Sequence, residues 1–248
     1  MKRHRDIILS AILLLAISSL LYLLHYLVFH DPHHIFIYML GDLAFLPIEV
    51  FLVVVIIERL LESHEKNSML QRLNMVIGTF FSELGTHLLG DITQWVENVD
   101  EVRDKLAITD DWSEQDYKNA LSFIQTFDFR INQNKLNLSV LRDRLGANRD
   151  LLVMLLANPN LLEHISFTDL LWAIFHLMEE LGAREKLDDI PQADLAHITG
   201  DIKRVYSRLI GEWIRYCKHL QDMYPYMFSF VVRTHPLQDN PCATVTCD

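Results

Sequence analysis

The sequence predicts an all-α protein in which an N-terminal two-helix transmembrane hairpin precedes a cytosolic bundle of several helices. Two apolar runs of 23 residues each, 7–29 and 35–57, stand near the start of the chain. Beyond them, apolar residues recur at three- and four-residue steps, which is typical of amphipathic helices. Sustained alternation of apolar and polar residues with hairpin turns is missing, and only residues 226–232 would permit a short strand.

The first apolar run is long enough to cross a bilayer as a helix. At about 1.5 Å per residue it exceeds the ~30 Å hydrocarbon core. Its one strongly polar member is His25. The run is too long for the apolar part of a signal peptide, and no small-residue cleavage site follows it. We therefore expect an uncleaved membrane anchor.

The second run is interrupted by Gly41, Asp42, Pro47 and Glu49 but remains predominantly apolar. Five residues, 30–34, separate the two runs and include Pro32. Such a short connection suits a tight turn between antiparallel helices. The two runs are therefore interpreted as a hairpin, and the bilayer is the first partner of this protein.

Basic residues give the orientation. Lys or Arg occupies three of the first five positions and none of the turn, while Arg59, Lys66 and Arg72 follow the second run. The positive-inside rule then places both termini in the cytoplasm of a cell (inner) membrane and the turn outside. The alternative, a buried hairpin of a soluble protein, is disfavoured because the first run has almost no polar face.

The remaining chain is acidic. Residues 67–248 carry 17 Lys and Arg against 26 Asp and Glu. A domain of this charge repels phosphate backbones, so nucleic acid is excluded as a partner. At 182 residues the segment is long enough to have its own core.

Composition and pattern divide the chain into four parts. Residues 1–60 form the transmembrane hairpin, 61–100 an amphipathic connecting helix, 101–233 the cytosolic helical domain and 234–248 a mobile tail. Gly78 and Gly85, seven residues apart, lie on one face of the connecting helix and would permit close approach of another helix or the membrane. We favour packing of this helix against the cytosolic domain, because it lacks the basic face of interfacial helices.

Signals for further helices recur along the cytosolic domain. Ser113, three residues before Asp116, forms a capping pattern ahead of a helix that ends near Arg130. Trp172 and Trp213 lie on apolar stripes, and we expect both to be buried. The other expected helices cover residues 135–145, 150–157, 167–181 with Ser166 as the cap, and 191–224.

The cysteines indicate no zinc site. Cys217 falls within a helical pattern and is interpreted as a small core residue. Cys242 and Cys247 form a pair in the tail, but two ligands with the lone His235 nearby cannot complete a tetrahedral site.

No enzyme signature is present. Phosphate-binding loops, nucleophile elbows and zinc-protease helices are all missing from the sequence. The best spacings are Glu83 with His87, and His176 with Glu179 and Glu180. Neither matches the Glu-x-x-His pattern of carboxylate-bridged metal bundles. We interpret them as solvated or capping side chains and expect neither enzymatic activity nor a cofactor.

The turn between the spans is a candidate metal site. His30, Asp31, His33 and His34 crowd five residues, and imidazoles with a carboxylate can bind zinc, copper or nickel. The competing interpretation is that histidine tolerates the membrane interface and caps helix ends there.

The second span carries the main candidate site. Asp42 and Glu49 are seven residues apart, so on a helix they differ by only about 20° in direction and about 10 Å along the axis. Tyr38, four residues before Asp42, extends the same stripe. Each intramembrane carboxylate costs at least ~2.5 kcal/mol on insertion scales, so exposure of these residues to lipid is disfavoured.

Partners for the two carboxylates differ. Tyr22 and His25 of the first span lie near the depth of Asp42 and could bind it, whereas Glu49 faces no such group. Self-association around an axis would place both residues in stacked acidic rings that attract cations. Pro47, between them, removes one backbone hydrogen bond and can kink or widen the helix.

Three functions compete on these observations. The first is a homo-oligomeric cation-conducting pore, the second a membrane-anchored scaffold or signalling protein whose hairpin is only a tether. The third, a membrane-bound enzyme, lacks a catalytic constellation. Because Glu49 has no visible partner in the hairpin, we favour the cation-conducting pore.

Overall fold

The computed structural model describes residues 2–238 and 241–244, and every regular element in them is helical. The all-α class is confirmed, with two long apolar helices followed by a helical bundle. The chain divides into two units, residues 1–66 and 67–248. The stretch that permitted a strand, 226–232, lies instead within the helix Pro225–Thr234.

Unit 1 begins with α1, Lys2–Phe29, and continues with α2, Pro32–Phe80, whose C-terminal part belongs to unit 2. Two stretches are long and apolar enough to cross a membrane, Leu9–Phe29 and Pro32–Arg59. These two helices permit the predicted membrane hairpin.

The turn is shorter than expected, since His30 and Asp31 alone separate the two helices. His30 has a φ of 51°, a left-handed conformation that reverses the chain. Asp31 Oδ1 accepts hydrogen bonds from the backbone N–H groups of His33 and His34 at 2.9 and 3.3 Å. Asp31 therefore caps α2, and Pro32 occupies the first helical position, where its missing N–H costs nothing.

The two spans meet beside this turn. The rings of His25 and His34 lie 6.3 Å apart between centroids, and the side chains of His25 and Ile35 are half-buried. Among the described side chains of the spans, every other one is exposed except the half-buried Val55. The apolar surface of unit 1 is therefore left for lipid or for other protein.

Unit 2 is a helical bundle with one hydrophobic core. Its long central helix, α9 (Gln192–Met223), has an apolar stripe along its 32 residues, as its sequence predicted. A π-helical turn, Phe81–Gly85, follows α2, and short 3-10 turns cover Gln133–Lys135 and Pro159–Glu163. The helices of this unit after α2 are α3 Thr86–Thr93, α4 Val99–Leu106, α5 Glu114–Thr126, α6 Leu138–Ala147, α7 Arg149–Leu156, α8 Ile165–Gly182, α9 Gln192–Met223 and α10 Pro225–Thr234.

Helices α3, α5, α8 and α10 pack against α9. The predicted connecting helix of residues 61–100 is thus not a separate element over its second half, since residues 77–96 supply a large part of this core. Phe81 stacks on Tyr216 with centroids 5.0 Å apart, and a Cβ at Gly78 would lie 3.5 Å from the Tyr216 hydroxyl. Residues 77–96 of the predicted connecting helix therefore pack against the helical domain.

One of the two predicted helix caps is present in the structure, whereas the other cap and one predicted buried residue differ from it. Ser113 and Asp116 form the predicted capping box of α5. The cap of α8 is His164, whose Nδ1 accepts from the Phe167 N–H, and the expected Ser166 lies inside the helix. Trp172 is 57% exposed, contrary to expectation, because the face of α8 that packs in the core excludes it.

Trp213 and Cys217 are buried, as predicted. The segment predicted to be a mobile tail begins with two buried residues, His235 and Leu237, because both pack into the core. Cys242 is exposed, and Cys247 lies outside the described residues.

Candidate functional site

The two carboxylates of the second span lie on α2 with exposed side chains. Asp42 and Glu49 both fall inside the apolar stretch Pro32–Arg59. Among the described residues, no hydrogen bond or ion pair reaches either carboxylate. Within unit 1, then, each would meet the hydrocarbon directly.

The contact expected for Asp42 with Tyr22 or His25 is not formed. Asp42 lies ten residues into α2, whereas α1 and α2 meet beside the turn. His25 packs on Phe29, with centroids 4.8 Å apart, and its Nε2 has no hydrogen-bond partner among the described residues. Among the described residues, Asp42 is therefore as unpartnered as Glu49.

The turn residues are brought together by ring contacts and by the cap. The ring of His34 lies 4.8 Å from that of Tyr38, and His30 lies 6.1 Å from Tyr26. The Asp31 carboxylate is engaged with backbone N–H groups. In the part of the chain that the structure describes, the side chains that converge with metal-ligand spacing lie elsewhere, so the predicted set His30, Asp31, His33 and His34 is not assembled as a site.

Side chains with the spacing of metal ligands lie instead where α8 packs on α9. His176 and Glu180 lie four residues apart on α8, and His197 and Asp201 lie four residues apart on α9. One ligand atom from each of His176, Glu180 and His197 lies within 4.8 Å of the others. Asp201 Oδ2 lies 3.4 Å from the Nε2 atoms of both histidines. We call these four residues the His–carboxylate cluster.

An arginine binds one oxygen of each carboxylate. Arg204 donates to Asp201 Oδ1 at 2.5 Å, and Arg184 donates to Glu180 Oε2 at 2.8 Å. Arg184 also donates to Asp194. The hydrogen bond from Arg184 is the main reason that the pKa of Glu180 is lowered. Glu180 is therefore ionised at neutral pH.

Sequence reasoning missed half of this cluster. It recorded His176 and Glu180 but interpreted them as solvated, and it did not single out His197 or Asp201. The available signal was the same His-x-x-x-acid spacing on two consecutive helices, which places each pair on one helix face. That the two faces meet depends on how α8 packs on α9.

The other histidine spacing has a different environment. Glu83 is exposed on the π-helical turn, and no ion pair joins it to His87 among the described residues. His87 lines an apolar groove of about 480 Å³ between α3, α9 and α10. Trp213, Tyr216 and Phe230 form much of its wall. The size and the aromatic lining are those of a site for an apolar ligand.

Comparison with known proteins agrees with this organisation. One family model, described as the C-terminal helical domain of uncharacterized protein MJ1433, matches residues 69–233. A second, described as the N-terminal helical domain of MJ1433, matches residues 2–61. Uncharacterized protein MJ1433 of Methanocaldococcus jannaschii is 42% identical over 239 residues, which cover 96% of each chain. No solved structure matches.

Proposed function

This chain belongs to the MJ1433 family, and we propose that it is an integral membrane protein that assembles with copies of itself into a cation pathway. The observation that carries the proposal is the pair Asp42 and Glu49, exposed and unpartnered among the described residues of an apolar span. The proposal assigns no catalytic reaction and no cofactor to the protein. Its partners are the bilayer, other copies of the chain and cations.

Two carboxylates in an apolar span are energetically costly. Each costs at least ~2.5 kcal/mol near the centre of a bilayer. Among the described residues of one hairpin, neither carboxylate has a hydrogen-bond or ion-pair partner. Several copies of α2 around an axis remove both groups from lipid at once, since the two lie on one helix face.

Several copies of α2 around an axis also provide a path for cations. Asp42 and Glu49 then form two acidic rings about 10 Å apart along the axis, which attract cations and repel anions. Tyr38 and the turn histidines lie at the outer mouth, with both termini in the cytoplasm. Pro47, between the rings, lacks an N–H and leaves one carbonyl free to face the path.

The test combines assembly with transport in liposomes. Glu49→Gln keeps the shape of the side chain and removes its charge, so we expect lower cation flux or altered cation selectivity with the same subunit number. Glu58→Gln is the matched control, because Glu58 lies one residue before the end of the same apolar stretch. Its effect on flux should be much smaller. A monomeric wild type in lipid, or wild-type liposomes without flux over a range of pH and divalent ions, would contradict the pore.

A second candidate function has its own observation, the aromatic groove of unit 2. In this case the hairpin is only a tether, and the helical domain binds an apolar ligand as a scaffold or signalling protein. Both Glu49→Gln and Asp42→Asn would then change oligomer stability without any flux in the wild type. Binding of an environment-sensitive apolar dye, lost in Trp213→Ala with the fold retained, would support this function.

A further inference from the structure

We propose that the His–carboxylate cluster between α8 and α9 is a binding site for a divalent transition metal ion, with Zn²⁺ as the ion that its ligands fit best. The site is independent of the proposed cation pathway, since all four residues belong to unit 2. The ligands are His176 and Glu180 from α8 and His197 and Asp201 from α9.

The distances from Asp201 to the two histidines match those between the ligands of a small four-coordinate site. Ligand atoms bound at about 2.0–2.1 Å to a tetrahedral Zn²⁺ lie roughly 3.3–3.4 Å from one another. Asp201 Oδ2 lies 3.4 Å from the Nε2 of both histidines. Glu180 Oε1 lies 3.9 Å from His176 Nε2, and Glu180 Oε2 lies 3.9 Å from His197 Nε2, so the Glu180 side chain has to move inward to become the fourth ligand.

Burial of Asp201 is the second, independent observation. Its side chain is 2% exposed, and Oδ2 accepts no hydrogen bond from any described residue. Leaving a buried carboxylate oxygen without a donor is costly, and native proteins seldom do so without a ligand or ion. This oxygen faces the two imidazoles. A metal ion bound by both histidines would therefore also bind this oxygen.

The surrounding arginines complete the arrangement. Arg204 occupies Asp201 Oδ1 and leaves Oδ2 facing both histidines, whereas Arg184 binds Glu180 Oε2 and leaves Oε1 free to face His176. Such outer hydrogen bonds orient metal ligands in proteins. The histidines are about half exposed, which gives an ion access from solvent.

The ligand set decides the class of ion. Two imidazoles with two carboxylates suit Zn²⁺ and its neighbours in the first transition row, whereas Ca²⁺ and Mg²⁺ prefer six or more oxygens. With four protein ligands the site is closed, as in structural zinc sites. A bound ion would link α8 to α9 near the start of α9.

The test uses the full-length chain, untagged and stripped of metal with a chelator, in detergent. Titration with Zn²⁺ followed by calorimetry should show one ion per chain at this site, and Co²⁺ should give the intense visible absorption of tetrahedral coordination. We expect His197→Gln to lower the affinity by at least roughly 100-fold, since even outer-shell changes cost 10–100-fold. Arg204→Gln should weaken binding by roughly tenfold without removing a ligand.

Two controls make the result specific. Glu179→Gln changes the exposed neighbour of Glu180, which pairs with Arg149, and should leave the affinity unchanged. A chain with His30, His33 and His34 replaced by Asn removes the turn histidines and should also bind as the wild type does. Binding that survives His197→Gln but disappears with the turn histidines would overturn the proposal. So would the absence of any Zn²⁺- or Co²⁺-binding in the folded wild type.

Discussion

The ring of His235 packs on the ring of Trp213, with their centroids 5.1 Å apart, so a residue beyond the last helix is part of the core of unit 2. The side chain of His235 is buried, and its Nδ1 accepts a hydrogen bond from the Leu237 N–H at 3.2 Å. Burial lowers the pKa of His235 to about 4. The folded protein therefore keeps this imidazole neutral at pH values where the unfolded chain protonates it.

The first prediction is a loss of stability on mild acidification. Well above pH 6.5 the histidine is neutral in both states, and as the pH falls toward 4 the unfolded state gains a proton that the folded state does not. We expect a decrease of about 2 kcal/mol in the free energy of unfolding between pH 7 and pH 5 from this residue.

His235→Asn measures that contribution. Asn keeps an acceptor for the Leu237 N–H but does not titrate, so its unfolding free energy should fall less than that of the wild type over the same interval. Urea unfolding followed by tryptophan fluorescence gives both curves, and the values at pH 7.5 correct for lost packing. Parallel curves for the two proteins would show that His235 accepts its proton in the folded state.

The second prediction concerns the close approach at Gly85. A Cβ at this position would lie 2.6 Å from a ring carbon of Phe81 and 2.7 Å from one of Phe80, and both rings are fully buried. Gly85→Ala should therefore destabilise the protein by about 1–3 kcal/mol. Gly146→Ala is the matched control, because nothing lies within 4 Å of its Cβ position in α6.

The control should be stabilising. Alanine in place of a helical glycine gains about 0.5–1 kcal/mol where no clash occurs. Thermal unfolding of the two variants beside the wild type should thus shift in opposite directions. A Gly85→Ala protein as stable as Gly146→Ala would mean that the aromatic rings can move without cost.

The third prediction concerns where the helical domain begins. Residues 77–96 contribute Phe80, Phe81, Leu84 and Leu88 to the core, all nearly inaccessible to solvent. A fragment of residues 67–248 should unfold cooperatively, whereas one of residues 101–248 should not, because it lacks these side chains. Urea unfolding followed by circular dichroism compares them. If both fragments unfolded with equal cooperativity, the helical domain would begin near residue 100.

The fourth prediction is the orientation of the hairpin. With Cys242 and Cys247 both changed to Ser, a cysteine at His33 should react with an impermeant thiol reagent in intact cells. A cysteine at Lys66 should react only after the membrane is opened, because the positive-inside rule places it in the cytoplasm. The opposite labelling pattern would reverse the orientation.

Local sequence patterns were sufficient for much of the fold. Hydropathy over some twenty residues predicted two long apolar helices, and three- and four-residue periodicity predicted the helices of unit 2. The Ser113–Asp116 capping box could be predicted because its partners lie three residues apart. In the candidate pathway, the shared face of Asp42 and Glu49 follows from the helical repeat alone.

Burial of individual side chains was less predictable. Trp172 and Trp213 both lie on apolar helices, yet one is exposed and the other buried. The difference depends on which face of α8 meets α6 and α9, and no local pattern contains that choice. His235 was assigned to a mobile tail for the same reason, since its partner Trp213 lies 22 residues earlier in the chain.

The sequence by itself determined the class, the two apolar helices and the spacing of His176 with Glu180 and of His197 with Asp201. The tertiary structure alone decided that these two pairs face each other, that Asp42 has no partner among the described residues of α1, and that residues 77–96 complete the core. The physical reason is the range of the interactions. Helix formation depends on neighbours within one or two turns, whereas packing brings together residues distant in the chain, and its free energy depends on the shapes of both faces at once.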